Sequence, residues 1–419
     1  MSVSGYRASI EWDVILAHSI ALDPNRRQSE YFARAAGTAR FAYNNALAMW
    51  NAAYEANGKA NPGKLRQEFN ATRKERFPWM SEVSNYVYAY PWIQLQKAYS
   101  AFFRKKARHP KFKAKHRSSE SFYVCHREMV FDGKALHLGP NKFRLGPIRM
   151  REELRFKGKV MGATVRRDGD RWMLSVQVDV GDHRKDRTAD DTVGVDLGIT
   201  TLATLSTGER VDGPKPLRRS LKKLRRCSRQ HSRKKRGSSN RGKSRRRLAK
   251  LHRRIRDIRK DALHRLTTRL CRENQAVVIE DLSVRGMMRN RRLARHIADM
   301  GWHEFRRQME YKCLIYGTRL VVADRFFPSS KTCSACGAAR AELNLGERVF
   351  HCQACGLELD RDLNAAVNLL NLLKVPVSDG ELGSGQARAK TPVERKALAA
   401  TFAVKPRLAE AGTYEVSYN

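Results

Sequence analysis

The sequence predicts a multidomain α/β protein, and three observations predict it. A long helical stripe and a second helical region occupy residues 28–107. Short β-rich pieces separated by turns fill residues 121–180. After a polar stretch, apolar strands alternate with helices, and two cysteine pairs interrupt that alternation between 333 and 355. The 419 residues leave room for two or three domains.

Residues 8–20 alternate enough to read as a strand. Residues 28–57 read as a helix, because Phe32, Ala35, Ala39, Tyr43, Leu47 and Trp50 recur at helical spacing. Ser29 and Glu30 stand near its start, and Asn57-Gly58 supplies the stop. A second helical region spans about 63 to 107, interrupted by Pro78 and Pro91, and ends in the basic stretch FFRKKARHPKFKAKHR. The pieces SFYVCH, MVFDG, ALHLG, KFRLG, KVMGATVRR and WMLSVQVDV follow, with Arg167-Asp168-Gly169-Asp170 the clearest hairpin turn. Strands this short and close suggest a small β-barrel made of residues 1–25 and 108–181. The helices at 26–107 would then be an insertion in it.

The polar stretch GDHRKDRTADD at 181–191 reads as a linker. TVGVDLGI and TLATLST are two strands joined by a tight turn. Residues 217–272 are two basic helices around GSSNRG. Leu248, Leu251, Ile255, Ile258 and Ala262 form a narrow seam that suits packing within the hairpin better than a dimer zipper. NQAVVIEDL is a third buried strand, 298–316 a helix, RLVVADRFF a strand and LDRDLNAAVNLLNLL a helix. Residues 375–419 are rich in Gly, Ser, Pro and charge, and disorder is expected there.

Charge points to the partner. There are 83 Lys and Arg against 42 acidic residues, a net of +41. A compact body so charged repels itself unless a polyanion lies against it. The basic residues are spread along the chain, which favours nucleic acid over an acidic membrane or a merely basic tail. The densest part is the helical hairpin, with 23 Lys or Arg between 215 and 260 and the single acid Asp257. That density suits phosphate contacts better than a solvated face. Tyr86, Tyr88, Tyr90 and Trp92 could stack bases, but core packing is the more ordinary use. No signal peptide and no apolar run of membrane length is read, so a soluble, cytoplasmic protein without a membrane partner is expected.

Three carboxylates stand where a metal site needs them. Asp196 lies in the apolar strand VGVDLGIT, and Glu280 ends the apolar strand AVVIE. A charge in a buried strand is costly unless paired or metal-bound. Asp362 begins the helix DLNAAVNLL, with Asp360 two residues earlier. Each has an ordinary alternative: a turn residue before Gly198, a strand exit at Glu280-Asp281, a helix N-cap at Asp360 or Asp362. Together, oxygen ligands from strand, strand and helix suit Mg²⁺ or Mn²⁺.

The cysteines divide cleanly. Cys333, Cys336, Cys352 and Cys355 form two CxxCG knuckles, a spacing that predicts one structural Zn²⁺. His351 adjoins a ligand, but Cys352 fits the spacing better. Cys125, Cys227, Cys271 and Cys313 are scattered and receive no role.

GVDLGITTLATLSTGE, VVIEDLSVRGMMRN, SKTCSACG, FHCQACG and DRDLNAAVNLL resemble, in that order, the RuvC-like nuclease and zinc ribbon of the TnpB family. These insertion-sequence proteins are similar to compact type V CRISPR effectors. The resemblance is close over about 190–372 and weaker upstream, at RFAYNNAL and HPKFKAK. It implies an RNase H-like (RuvC) domain at 190–328 and 357–374, an inserted zinc ribbon at 329–356, a wedge-like barrel and a helical recognition domain. It also implies Mg²⁺- or Mn²⁺-dependent DNA cleavage, with a guide RNA pairing to target DNA beside a short motif. Carried over position by position, Asp196 is the first catalytic Asp, Glu280 the Glu and Asp362 the last Asp; Asp360 is disfavoured. Intact carboxylates argue against an RNA-guided repressor, while a strand-joining transposase remains the other alternative. A monomer in complex with RNA and DNA is expected, in a bacterium or archaeon, and nucleoid-associated when on DNA.

Overall fold

The computed structural model describes residues 12–13, 15–115, 118–139, 145–181, 190–341, 343–344, 346–373 and 405–406. The expected linker lies almost wholly outside the described residues, as does the expected disordered tail apart from 405–406. The chain divides into two units, residues 1–182 with 404–419, and residues 183–403. No described helix is long and apolar enough to cross a membrane.

In the first unit, strand β1 (Ile15–Asp23) leads into helix α1 (Arg26–Asn57). The helix starts three residues before Ser29 because Asn25 and Gln28 form a capping box, each side chain meeting the other's backbone N–H at 2.9 Å. It ends at the expected Asn57, with Gly58 left-handed. Helix α2 (Pro62–Arg76), a 3₁₀ turn (Pro78–Glu82) and helix α3 (Asn85–Phe103) follow. Pro78 ends a helix as expected, whereas Pro91 lies buried inside α3 without ending it.

Six more strands complete one antiparallel sheet: β2 (Ser121–Cys125), β3 (Met129–Asp132), β4 (Ala135–Leu138), β5 (Leu145–Met150), β6 (Lys159–Asp168) and β7 (Arg171–Asp179). Their order is β2-β6-β7-β1-β5-β4-β3, so the N-terminal strand is central. The two-residue turn Gly169-Asp170 joins β6 to β7, with Asp168 opposite Arg171. Ile20, Leu136, Ile148, Leu174 and Val176 are fully buried on this sheet, under Phe32 and Ala35 of α1. A second cluster joins the three helices, where Trp50 stacks on Tyr99 at 4.3 Å and packs with Phe69, Met80 and Trp92. Tyr88 packs against both clusters, and Tyr90 stacks on Tyr123 at 3.9 Å. These aromatic residues are spent mainly on packing.

In the second unit, strands β8 (Asp191–Asp196), β9 (Ala203–Leu205), β10 (Arg210–Val211), β11 (Asn274–Glu280) and β12 (Arg319–Ala323) form a mixed sheet. Its order is β10-β9-β8-β11-β12. The first three are antiparallel, and β11 runs parallel to both β8 and β12. Helices α4 (Pro216–Ser232) and α5 (Ser239–Glu273) are the basic hairpin between β10 and β11. Leu251 and Ile255 of α5 are buried with Cys227 of α4, while Ile258 is 40 % exposed. The seam ends there because α5 outruns α4, and Leu263, Leu266 and Leu270 turn to the sheet instead.

A short helix α6 (Val284–Met287) follows. The helix expected at 298–316 is two, α7 (Ala294–Met300) and α8 (Trp302–Tyr316), broken at left-handed Gly301. A two-stranded ribbon, β13 (Val349–His351) and β14 (Glu358–Asp360), precedes helix α9 (Arg361–Asn371).

Strand parity divides the sheet's two faces. Val193, Val195, Val277 and Ile279 pack among α5, α7 and α8 side chains. Gly194 and Val278 face α9. At Gly194 the approach is so close that an added Cβ would stand 2.1 Å from the carbonyl oxygen of Ala366. Gly194→Ala is therefore expected to push α9 off the sheet and cost about 1–3 kcal/mol. Thermal unfolding of the variant would show a lowered midpoint; an unchanged midpoint would contradict this packing.

Candidate active site and four-cysteine centre

Asp196 is the last residue of β8 and Glu280 the last of β11. Val195 pairs with Ile279 in the parallel ladder, so the two acids follow side by side and point to the α9 face. Helix α9 supplies the third. Ala366 meets Gly194, and Asp362 precedes Ala366 by one turn of the same helical stripe. That turn is about 6 Å, nearly the rise of the two strand residues from Gly194 to Asp196. The structure thus brings Asp196, Glu280 and Asp362 to one end of the sheet.

Their charges are felt there. Burial raises the Asp196 carboxyl well above its ordinary range, and the negative charges of Glu280 and Asp362 raise it further. Burial also raises Glu280, opposed by the Ser329 hydroxyl, which donates to Oε1 at 2.7 Å. Arg361 pairs with Asp362 at 3.3 Å. Asp360 has separate duties. It caps α9 by accepting from the backbone N–H groups of Asp362 and Leu363, both at 3.1 Å, and it pairs with Arg210 at 2.6 Å. Asp362 is thereby free of capping. Asp281 is also committed elsewhere: burial raises it, but Arg306 and Arg325 outweigh that and hold it below the ordinary carboxylate range.

A cavity of about 600 Å³ opens beside Glu280, walled by Leu197, Leu282 and Trp302 and edged by Arg285, Arg306 and Arg325. The basic hairpin is anchored at its base by Asp299. Its buried carboxylate accepts from the backbone N–H groups of Leu217 and Arg218 at the start of α4, both at 2.9 Å. Sequence reading did not find Ser329, Arg210, Asp299 or Arg361. Ser329, Arg210 and Asp299 act across the fold, and Arg361 by a contact with its neighbour that its place in DRDLNAAVNLL does not announce.

The second centre is the cysteine quartet. Among the described residues it is the set of three or more potential ligands whose atoms all lie within 4.8 Å. The Sγ atoms of Cys333 and Cys355 are 3.6 Å apart, as are those of Cys336 and Cys352. A tetrahedral zinc shell with Zn–S near 2.3 Å has edges of about 3.8 Å, so the donors fit that ion. Both knuckles are built alike. Gly337 and Gly356 take φ of 75° and 73°, and their N–H groups donate back to Cys333 and Cys352 at 3.0 and 2.9 Å. The N–H of Cys355, aided by that of Ala354 against burial, lowers the Cys352 thiol to about 6, whereas against the N–H groups of Ala338 and Leu357 neighbouring thiols raise Cys336 and Cys355. His351 is exposed outside the quartet. Cys125, Cys227, Cys271 and Cys313 are buried elsewhere.

Comparison with known proteins sets these centres in context. A family model described as "Probable transposase" matches residues 175–291, and one described as "Cas12f1-like, TNB domain" matches 302–369. A third, described as "Helix-turn-helix domain", matches 14–59, where the structure has one strand and a single 32-residue helix. A Streptomyces pristinaespiralis protein named "Putative RNA-guided DNA endonuclease" is 40 % identical over 353 residues, 83 % of this chain and 86 % of its own. InsQ of Escherichia coli (strain K12), named in the same terms, is 32 % identical over 399 residues, 90 % of this chain and 97 % of its own. The Cas12f1 chain from a cryo-EM structure of the Cas12f1–sgRNA–target DNA complex aligns with a TM-score of 0.51 at 15 % identity, covering 83 % of each chain, which is a likeness of fold. With relatives this similar over nearly their whole length, the chain belongs to the TnpB family.

Proposed function

We propose that this protein is an RNA-guided, metal-dependent DNA endonuclease that cuts target DNA complementary to a bound guide RNA, next to a short motif. The observation that carries the reading is the meeting of Asp196, Glu280 and Asp362 at one end of the sheet under α9. A buried carboxylate opposed by two others is a donor set that suits a divalent cation. Two such ions there would activate a water and stabilise the leaving oxygen of a phosphodiester. Ser329 holds Glu280 in place, Arg361 pairs with Asp362, and Arg210 pairs with Asp360, so each flanking group fixes one carboxylate beside the place a cation would take.

The antiparallel trio followed by two parallel strands supports an RNase H-like, RuvC-type reading of residues 190–328 and 357–374, with the ribbon at 329–356 inserted. The seven-stranded sheet supports a wedge-like barrel domain, with α1–α3 inserted between its first two strands as the recognition domain. These would hold the guide–target duplex, sequence being read by base pairing and the motif by the protein. Phosphate contacts from the 23 basic residues of the hairpin region would supply affinity. Relatives named as endonucleases, together with the intact carboxylates, support cleavage over a repressor or a strand-joining transposase.

Asp362→Asn removes one charge at constant shape. With guide RNA bound, its target-cleavage rate in Mg²⁺ is expected to fall by more than about a hundredfold, beyond the loss of an outer-shell partner. Target binding should stay at the native level; native cutting by the variant would remove Asp362 from the site. Metal analysis of the native protein is expected to give one zinc per chain, and Cys336→Ser to lose it; an unchanged zinc content would contradict the quartet. Replacing Arg233, Lys234, Lys243 and Arg247, which surround a polar recess at the hairpin tip, with Ala should flatten the slope of log affinity for DNA against log salt by about 3. An unaltered slope would take the tip off the nucleic acid.

A further inference from the structure

Helix α9 carries a second stripe, distinct in chemistry from the one that meets Gly194. Asn364, Asn368 and Asn371 stand at i, i+4 and i+7. Asn364 is fully buried and Asn368 is 5 % exposed, and both bond to backbone of the first cysteine knuckle. The Asn364 side chain donates to the Thr332 carbonyl at 2.7 Å and accepts from the Ser334 N–H at 3.0 Å, gripping the chain on both sides of Cys333. Asn368 donates to the carbonyls of Ser329 and Thr332, at 2.8 and 2.6 Å. Asn371 adds a longer bond to the Ser334 carbonyl at 3.3 Å.

These bonds join three things that the sequence keeps apart. Ser329, held through its carbonyl by Asn368, is the residue whose hydroxyl holds Glu280. Cys333, held between Thr332 and Ser334, is a member of the quartet. The helix that does the holding carries Asp362 in its first turn. Asn364 uses both ends of its amide and Asn368 gives both its N–H groups to carbonyls, so neither side chain can turn without breaking two bonds at once. Apolar packing would tie the ribbon to α9 without fixing its register, whereas directed amide–carbonyl bonds fix it.

We infer that Asn364 and Asn368 are positioning residues that make the placement of Glu280 and Asp362 depend on the order of the four-cysteine knuckle. The inference rests on the proposed metal-dependent cleavage for its functional consequence. The mechanical link itself stands apart from that reading. When the quartet is ordered by its metal, Thr332 and Ser329 are held where the two asparagines can bind them, and the carboxylate ligands are drawn to one geometry. When the knuckle loosens, Ser329 is freed from Asn368 and Glu280 loses its fixed orientation.

Two measurements on the full chain test this. The first is amide hydrogen exchange of the native protein before and after zinc is stripped with a chelator. The expected result is faster exchange in the knuckle and also across Ala365–Leu370 of α9, by about tenfold or more. Indifference of α9 to zinc would overturn the link, and this readout needs neither a variant nor any cleavage activity. The second compares Asn368→Asp and Asn364→Asp, which keep size and acceptor but cannot donate to the carbonyls. With guide RNA bound, the Mg²⁺ concentration for half-maximal cutting is expected to rise about tenfold, with target affinity unchanged and the rate largely recovered at high Mg²⁺. Faster zinc release with an unaltered Mg²⁺ dependence would mean that the asparagines only fasten the ribbon, and would overturn the inference. A native protein that never cuts would defeat the proposed function and leave the exchange result to decide the link.

Discussion

The arrangement of the second unit depends on one repulsion held in check. Glu280 and Asp362 both oppose the charge of the buried Asp196 at the end of a sheet. They are kept there by backbone, which cannot swing away as a side chain can. Two parallel strands set Asp196 beside Glu280, and the close approach of Ala366 to Gly194 sets the height of α9 above them. The remaining polar features serve this arrangement. Asp360 caps the start of the helix so that Asp362 need not, and Arg210 pairs with Asp360. The cost of crowding charge is thus met by the stability of surrounding apolar packing, where Val195, Val277, Ile279 and Phe305 are fully buried.

The acids face α9, while the basic hairpin leaves the sheet between β10 and β11 and is pinned at its base by Asp299. Its internal core is small, Leu251, Ile255 and Cys227 with a few neighbours, while 23 Lys or Arg stand between 215 and 260. Such an element gains its full stability against a polyanion, and a nuclease that hands sequence reading to base pairing needs that kind of uniform phosphate grip.

Much of this was legible in the sequence, and the reasons are physical. Asp196 and Glu280 stand out because a charge at the end of an apolar run contradicts its surroundings. The quartet stands out because two knuckles repeat one local turn. Helix α1 is legible from its stripe, though its start is set by Asn25 and Gln28 rather than by the first apolar residue. What escaped was long-range. Asp299 caps a helix more than eighty residues before it, and Asn364 and Asn368 bind carbonyls over thirty residues away. An asparagine in an apolar helix gives no hint of its partner. The break at Gly301 escaped because the apolar period continues across it, and Pro91 misled because its helix tolerates a buried proline.

The central claim is that this chain cuts DNA chosen by a bound RNA. The most direct measurement is to purify it with RNA co-expressed from its own locus, and to challenge it with plasmids carrying a guide-matched target beside randomised sequence, in Mg²⁺ or in EDTA. The account predicts cutting only of matched plasmids, only with Mg²⁺, and only beside one enriched short motif. Purification without RNA, or cutting indifferent to the match, would contradict it.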